Sequence, residues 1–313
     1  MENVIIIGSG PAAHTAAIYC GRSRLNPLLF EGMFATGVAA GGQLTTTTHV
    51  ENYPGFPEPI PGQDLMARMR QQTLNCEGRI ETQTVTKLDL SSRPFKVFTD
   101  SVSYETKTLI IATGAQAKLL DLPGHKKFWQ KGISACAVCD GALPVFRNKV
   151  LAVIGGGDSA VEEATYLAKY ASKVLVLHRR DELRASKIMQ ERVFANDKIE
   201  VIWDTVAVEA LGENMLTGVK VKNVKTQNEK VLEVSGLFYA IGHQPNTSFL
   251  DGQLPLNEAG YILVEPDTSR TKIEGVFACG DVIDPHYRQA ITAAGSGCKA
   301  AIDAEHYLQQ IRT

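Results

Sequence analysis

Val4-Ile5-Ile6-Ile7-Gly8-Ser9-Gly10-Pro11-Ala12-Ala13 is the stretch that decides the fold. A β-branched run with no polar interruption reads as a strand covered on both faces. It ends in a G-x-G-x-x-A turn, and Ala13, Ala16, Ala17 and Cys20 then fall at helical spacing. Leu28-Leu29-Phe30 reads as a second strand closed by Glu31, about twenty residues beyond the glycines. Strand, glycine turn, helix, strand and acid make a dinucleotide cradle. Bare N–H groups approach a pyrophosphate, and the carboxylate accepts from a ribose hydroxyl. A tight turn alone is the alternative for the glycines; the acid at the right distance argues for the ligand.

The pattern recurs at Val150–Ile154 followed by Gly155-Gly156-Gly157-Asp158-Ser159-Ala160. Its helix carries Val161, Ala164 and Ala168, and its second strand is Val174–Leu177. The position equivalent to Glu31 is His178, followed by Arg179, Arg180 and, further on, Arg184. Replacing a carboxylate by guanidinium groups suits a ribose that carries a 2′-phosphate. A solvated basic face after a strand end is the alternative. One cradle therefore fits FAD or NAD and the other NADP(H), an arrangement for hydride transfer between a flavin and a nicotinamide.

The 313 residues carry 32 Lys+Arg against 34 Asp+Glu, and 44% are hydrophobic. Such a chain buries enough surface to offset its ordering entropy, which excludes disorder. The near-neutral balance without long basic blocks argues against nucleic acid as a partner. No run approaches the about 18 apolar residues that a membrane span needs. Met1-Glu2-Asn3 leads straight into the first strand, too short and too acidic for a signal peptide. A cytoplasmic protein of roughly two domains is expected.

Leu109–Gly114 and Leu237–Gly242 each read as a strand ending at a glycine, and they are the expected crossings between domains. Val276–Asp281 reads as a strand delivering Asp281 at its carboxyl end, where open α/β sheets bind ligands. From about Gln289 a helical stripe runs through 290, 293, 294, 297, 301, 304, 308 and 311. The expected fold is α/β with two Rossmann-like FAD/NAD(P)-binding domains, the second (117–243) inserted into a discontinuous first (1–116 and 244–313).

Cysteines stand at 20, 76, 136, 139, 279 and 298, and only Cys136-Ala137-Val138-Cys139 pairs closely in sequence. Zinc would need a second Cys pair or a His pair at metal spacing, and neither is present, so no metal site is expected. Two packed core cysteines remain an alternative, although Asp140-Gly141 gives the pair a polar, turn-like setting. A redox-active disulfide is the stronger reading. Asp140 is placed to shuttle the proton a leaving thiolate needs; a solvated turn carboxylate is its alternative. Cys20, Cys76, Cys279 and Cys298 read as buried small hydrophobes.

These residues resemble the low-molecular-weight thioredoxin reductases, a branch of the two-dinucleotide-binding-domain flavoproteins, over nearly the whole chain. The likeness is carried by Gly8–Ala13, Gly41-Gly42-Gln43-Leu44, Glu51–Phe56, Cys136–Gly141, Gly155–Ala160, His178–Asp181, Gly280-Asp281-Val282 and Arg288-Gln289-Ala290. It departs at Val138, where members often have a small polar residue.

The resemblance implies that Gly8, Gly10 and Ala13 meet the FAD pyrophosphate and Glu31 the adenosine ribose. It sets Gln43 and Asn52 along the flavin and its ribityl chain, Asp281 at the ribityl or pyrophosphate region, and Gln289 with Ala290 at the polar ring edge. Asn52 also reads as a turn residue before Pro54. Further cofactor-binding positions implied are Ser9, Pro11, Ala12, Gly32, Gly42, Leu44, Ala112, Thr113, Gly114, Gly280 and Arg288. For NADPH they are Gly155, Gly157, Asp158, Ser159, Ala160, His178, Arg179, Arg180, Arg184, Ile241, Gly242 and His243; a plain loop histidine is the alternative for the last.

In related enzymes Cys139 is the sulfur next to the flavin, and Cys136 attacks the partner's disulfide. The resemblance further implies thioredoxin as substrate, a homodimer, and rotation of the inserted domain about crossings near 114–117 and 242–245. Two alternatives stay open: a flavin NADPH oxidoreductase for small disulfides, oxygen or peroxide, and a nucleotide-responsive binding protein.

Overall fold

The computed structural model describes residues 1–32, 34–35, 38–47 and 49–311. The chain divides into two compact units, Met1–Gln116 with Gln244–Thr313, and Ala117–His243.

In the first unit the sheet runs in the order Arg79–Glu81, Leu28–Phe30, Glu2–Ile7, Ser103–Ile111, Phe95–Thr99, Val85–Asp89. Val276–Ala278 also pairs with Ser103–Ile111, in parallel, at Leu109 to Ile111. Glu2–Ile7 is central and parallel to both neighbours, so Val4, Ile5, Ile6 and Ile7 are buried on both faces. Alternation divides them: Val4 and Ile6 join one core, with the helices Pro11–Arg22 and Ala290–Gln310, while Ile5 and Ile7 join the other, with Leu250, Leu254 and Val282. The two helices approach closely because small residues meet. A Cβ on Gly297 would lie 2.1 Å from the carbonyl oxygen of Ala12.

The second unit holds a parallel sheet in the order Ile133–Ser134, Gly236–Tyr239, Val150–Ile154, Lys173–Leu177, Ile199–Ile202. The same alternation sends Leu151 and Val153 to one core and Ala152 and Ile154 to the other. The helix Asp158–Leu167 covers the first through Ala160, Ala164 and Leu167. A three-stranded antiparallel sheet, Thr205–Gly212, Leu216–Asn223 and Glu229–Glu233, covers the second through Ala210, Val219 and Val221.

The two crossing segments, Ala115–Ala117 and His243–Pro245, pair as a two-stranded ladder. On the first unit's side, Asn246 Nδ2 donates to the Thr113 carbonyl and Thr113 Oγ1 donates to the Asn246 carbonyl, both at 2.8 Å. On the second unit's side, Lys118 N donates to the Gly242 carbonyl at 2.9 Å. Among the described residues no helix is long and apolar enough to cross a membrane.

Candidate active site

In the first unit, Gly8 has φ +131° and backs onto Ala112, whose carbonyl oxygen a Cβ would meet at 2.1 Å. Gly10 caps the helix Pro11–Arg22 with no side-chain partner, and a Cβ there would find no atom within 4 Å. Gly42, at φ +71°, faces it: a Cβ would stand 3.7 Å from the Gly10 Cα. Ser9 Oγ anchors that second strip by accepting from Gly41 N at 2.8 Å. Open space bounded by bare backbone at a helix N-terminus fits a pyrophosphate.

Glu31 ends its strand nearly buried, and its carboxylate is fully oriented. Arg70 Nε donates to Oε2 at 2.8 Å, Arg70 Nη2 to Oε1 at 3.1 Å, and Thr82 Oγ1 to Oε1 at 2.6 Å. Burial alone would raise its pKa, but the hydrogen bonds from Arg70 and Thr82 outweigh it and hold the group below the ordinary range. His14, next to this network, is driven down to about 4 by burial and stands neutral, bonded to Thr73 Oγ1 at 3.0 Å.

Asp281 follows the strand Val276–Ala278 on the turn Gly280–Val282. Its Oδ1 is buried without a hydrogen-bond partner, and burial, reinforced by Asp284, pushes its carboxyl up to about 7 against a pull from Arg288. An orphaned acceptor near a bare cradle is what a polyhydroxylated cofactor chain would satisfy, so these residues fit FAD. The cost of the orphan is testable. The raised pKa means that, in the protein stripped of FAD, this group's contribution is fully present below about pH 4 and is lost as pH rises through about 7. Asp281→Asn is expected to melt like the parent near pH 4 and several degrees higher at pH 8 in the stripped state, while binding FAD more weakly. Thermal denaturation across pH checks it.

Residues expected along the flavin and at its ring edge also come together. Asn52 is exposed and not committed to its turn: its Nδ2 donates to Gln289 Oε1 at 3.3 Å. Gln289 caps the helix that begins at Ala290. Arg288 stands before it at φ +48°, its backbone N–H bound by Asp284. Gln43 and Leu44 lie on the short turn Gly42–Thr46; Gly32 follows Glu31, and Ala112, Thr113 and Gly114 follow a strand end.

In the second unit, Gly155 lets the turn pass Ala240, whose carbonyl oxygen a Cβ would meet at 2.5 Å. Gly157 faces open space and caps the helix bearing Asp158, Ser159 and Ala160. Arg179, Arg180 and Arg184 are exposed, whereas His178 is 5% exposed and turned inward. Its Nδ1 lies 3.0 Å from the Gly155 carbonyl and its Nε2 2.8 Å from the Glu182 carbonyl. A Cβ on Gly156 would sit 2.1 Å from that ring. His178 thus builds the loop from below, and Gly156, which the fingerprint treats as a variable position, makes room for it. Ile241, Gly242 and His243 lie just after the strand Gly236–Tyr239.

Cys136 and Cys139 form a disulfide, with their Cα atoms 5.3 Å apart. The edge strand Ile133–Ser134 brings the chain to the helical turn Ala137–Asp140, where Cys139 N donates to Cys136 Sγ at 3.2 Å. Ser134 joins the parts: its Oγ accepts from Cys136 N at 3.1 Å and donates to Asp140 Oδ2 at 2.5 Å. Asp140 is 3% exposed, not a solvated turn carboxylate. Burial raises its pKa, opposed by hydrogen bonds from Ser134 and Gln130. Val138, by contrast, is 48% exposed. Cys20 and Cys279 are buried as expected, but Cys76 ends a helix half-buried, and half-buried Cys298 bonds to Tyr19.

The pyridine nucleotide-disulphide oxidoreductase family matches residues 2–297. Thioredoxin reductase 1 of Saccharomyces cerevisiae is 58% identical, with 99% of each chain covered. The mitochondrial thioredoxin reductase 1 of Arabidopsis thaliana is 60% identical over 98% of this chain and 84% of its own. The solved thioredoxin reductase of Giardia duodenalis superposes with a TM-score of 0.92 at 45% identity, covering 98% of both chains. A family match over this span, joined to a disulfide backed by a buried carboxyl, places the chain among the pyridine nucleotide-disulphide oxidoreductases, in the low-molecular-weight thioredoxin reductase branch.

Proposed function

We propose that the chain is an NADPH-dependent flavoprotein whose Cys136–Cys139 couple reduces the disulfide of thioredoxin. The observation that carries this reading is the Cys136–Cys139 disulfide tied through Ser134 to a buried Asp140. Residues 1–116 with 244–313 hold FAD, and 117–243 hold NADPH. FAD, when bound, supplies a two-electron relay between NADPH and the disulfide. Gly10 and Gly42 leave bare backbone to the pyrophosphate, Glu31 accepts from the adenosine ribose, and Asp281 accepts from the chain linking pyrophosphate to ring. Gln43 and Asn52 lie along the flavin and its ribityl chain, Gln289 and Ala290 take the ring edge, and Arg179, Arg180 and Arg184 the 2′-phosphate of NADPH.

Once the couple is a dithiol, the Cys136 thiolate attacks the substrate disulfide. One substrate S–S bond breaks, a mixed disulfide forms, and a substrate thiolate leaves. The Cys139 thiolate then breaks the mixed disulfide, re-forming the Cys136–Cys139 bond and releasing the second substrate sulfur. Two electrons and two protons pass to the substrate, and Asp140 handles a proton at the departing sulfur.

Sulfurs that meet the flavin and then a bulky protein have to move, so the inserted unit rotates about 114–117 and 242–245. A cross-link between the units should leave at most one half-reaction; full turnover in the locked protein would contradict the rotation. The assay for the whole reading mixes NADPH, the protein and oxidised thioredoxin and follows free thiol. Turnover of small disulfides alone would favour the small-substrate alternative, and none with either a binding role. We also take the protein to be a homodimer through the flavin unit and cytoplasmic. The free thiols of Cys20, Cys76, Cys279 and Cys298 suit a reducing compartment; sedimentation and fractionation test these two points.

A further inference from the structure

The segment 178–186, from which the arginines project, is fastened to the second glycine turn from several sides. The Gly156 carbonyl accepts from Arg184 N at 2.7 Å and Ala185 N at 3.1 Å. Gln190 Nε2 donates to the carbonyls of Leu183, at 3.1 Å, and Ala185, at 2.8 Å. Leu183 and Ala185 are buried with Val161 and Val193, while Arg184 between them is exposed. A further tie comes from Asp158: its Oδ1 accepts from Ser186 N at 2.8 Å and from Ser186 Oγ at 3.0 Å.

Asp158 is the first residue of its helix, where a carboxylate competes with a pyrophosphate for the same amide donors. Here the carboxylate is instead engaged by the strap. We propose that Asp158 is a positioning residue for cofactor selection: by clamping Ser186 it fixes the backbone that presents Arg184, and so sets the preference for a 2′-phosphorylated adenine dinucleotide over the unphosphorylated one. The proposal rests on the reading that Arg179, Arg180 and Arg184 receive the 2′-phosphate. A loose strap would have to be ordered at the moment of binding, and that entropy falls on the ligand that uses the strap. A ligand without the 2′-phosphate does not use it.

The test titrates the FAD-loaded enzyme with adenosine 2′,5′-bisphosphate and with 5′-AMP, which differ only by that phosphate. Asp158→Ala is expected to weaken the bisphosphate about tenfold and to change 5′-AMP by no more than about twofold. Asp158→Asn keeps an oxygen acceptor for Ser186 and is expected to retain most of the selectivity. Ser186→Ala removes one of the two bonds and, should Asp158→Ala not fold, reads the clamp through a smaller loss of selectivity. Parent-like selectivity in Asp158→Ala, or in Ser186→Ala if that variant alone folds, overturns the clamp. So does an equal loss in Asp158→Asn, which would assign the effect to charge. Replacing Arg179, Arg180 and Arg184 together by alanine separates the two levels. Selectivity surviving that triple variant sinks the phosphate reading itself, whereas loss there with none in Asp158→Ala sinks only the clamp.

Discussion

Replacing Cys139 by serine is expected to abolish disulfide reduction while NADPH still bleaches the flavin band. Serine matches cysteine closely in size, so the turn Ala137–Asp140 and the Ser134 bonds to Cys136 N and Asp140 have no reason to shift. What disappears is the second sulfur. Cys136 alone can form a mixed disulfide but has no partner to resolve it, and no internal S–S bond remains to be reduced. Residues that act as one chemical unit fail together, so the loss is on the order of a thousandfold or more. Stopped-flow absorbance measures the half-reaction that survives, and thiol release with oxidised thioredoxin the one that is lost. Thioredoxin turnover near the parent's would remove the couple from the electron path.

Asp140→Asn is the second large effect, expected to lower thioredoxin reduction by about 10²–10⁴-fold, the usual contribution of a positioned acid or base. Burial raises the Asp140 carboxyl's pKa, so it keeps its proton to higher pH than an ordinary aspartate despite the hydrogen bonds from Ser134 and Gln130. The sign follows: the parent's oxidative half-reaction should lose a proton-dependent contribution as pH rises through that raised pKa, and the asparagine variant should show no such limb. Ser134→Ala removes a hydrogen bond that lowers the pKa, so the limb should move to higher pH. A pH–rate profile with oxidised thioredoxin decides. An unchanged limb in Asp140→Asn would mean that another group carries the proton.

The parts legible in the sequence share a local signal. Both glycine turns, their strands and the two-sided burial of Val4–Ile7 follow from residues a few positions apart. The ladders Val85–Asp89 with Phe95–Thr99 and Thr205–Gly212 with Leu216–Asn223 were not legible. They cover only one face of a core, and polar residues such as Lys87, Lys96, Lys220 and Lys222 break up their apolar runs.

Site residues divide the same way. Glu31 is readable from its distance to Gly10, but Arg70 and Thr82, which orient it, lie 39 and 51 residues away and meet it only in space. Ser134 carries a fainter signal, two residues before Cys136, and its hydroxyl matters only because the turn folds Asp140 back onto it. His178 shows the limit from the other side. Its sequence position suggests a cation for a phosphate, while the folded loop uses its ring as an internal brace.

The paired segments Ala115–Ala117 and His243–Pro245 bring the start and the finish of the intervening stretch to one spot. A module whose ends coincide is cut out or grafted in at a single seam, leaving the host's sheet and helices intact. The block that carries the sulfur pair can thereby be replaced without disturbing the fold of the remainder.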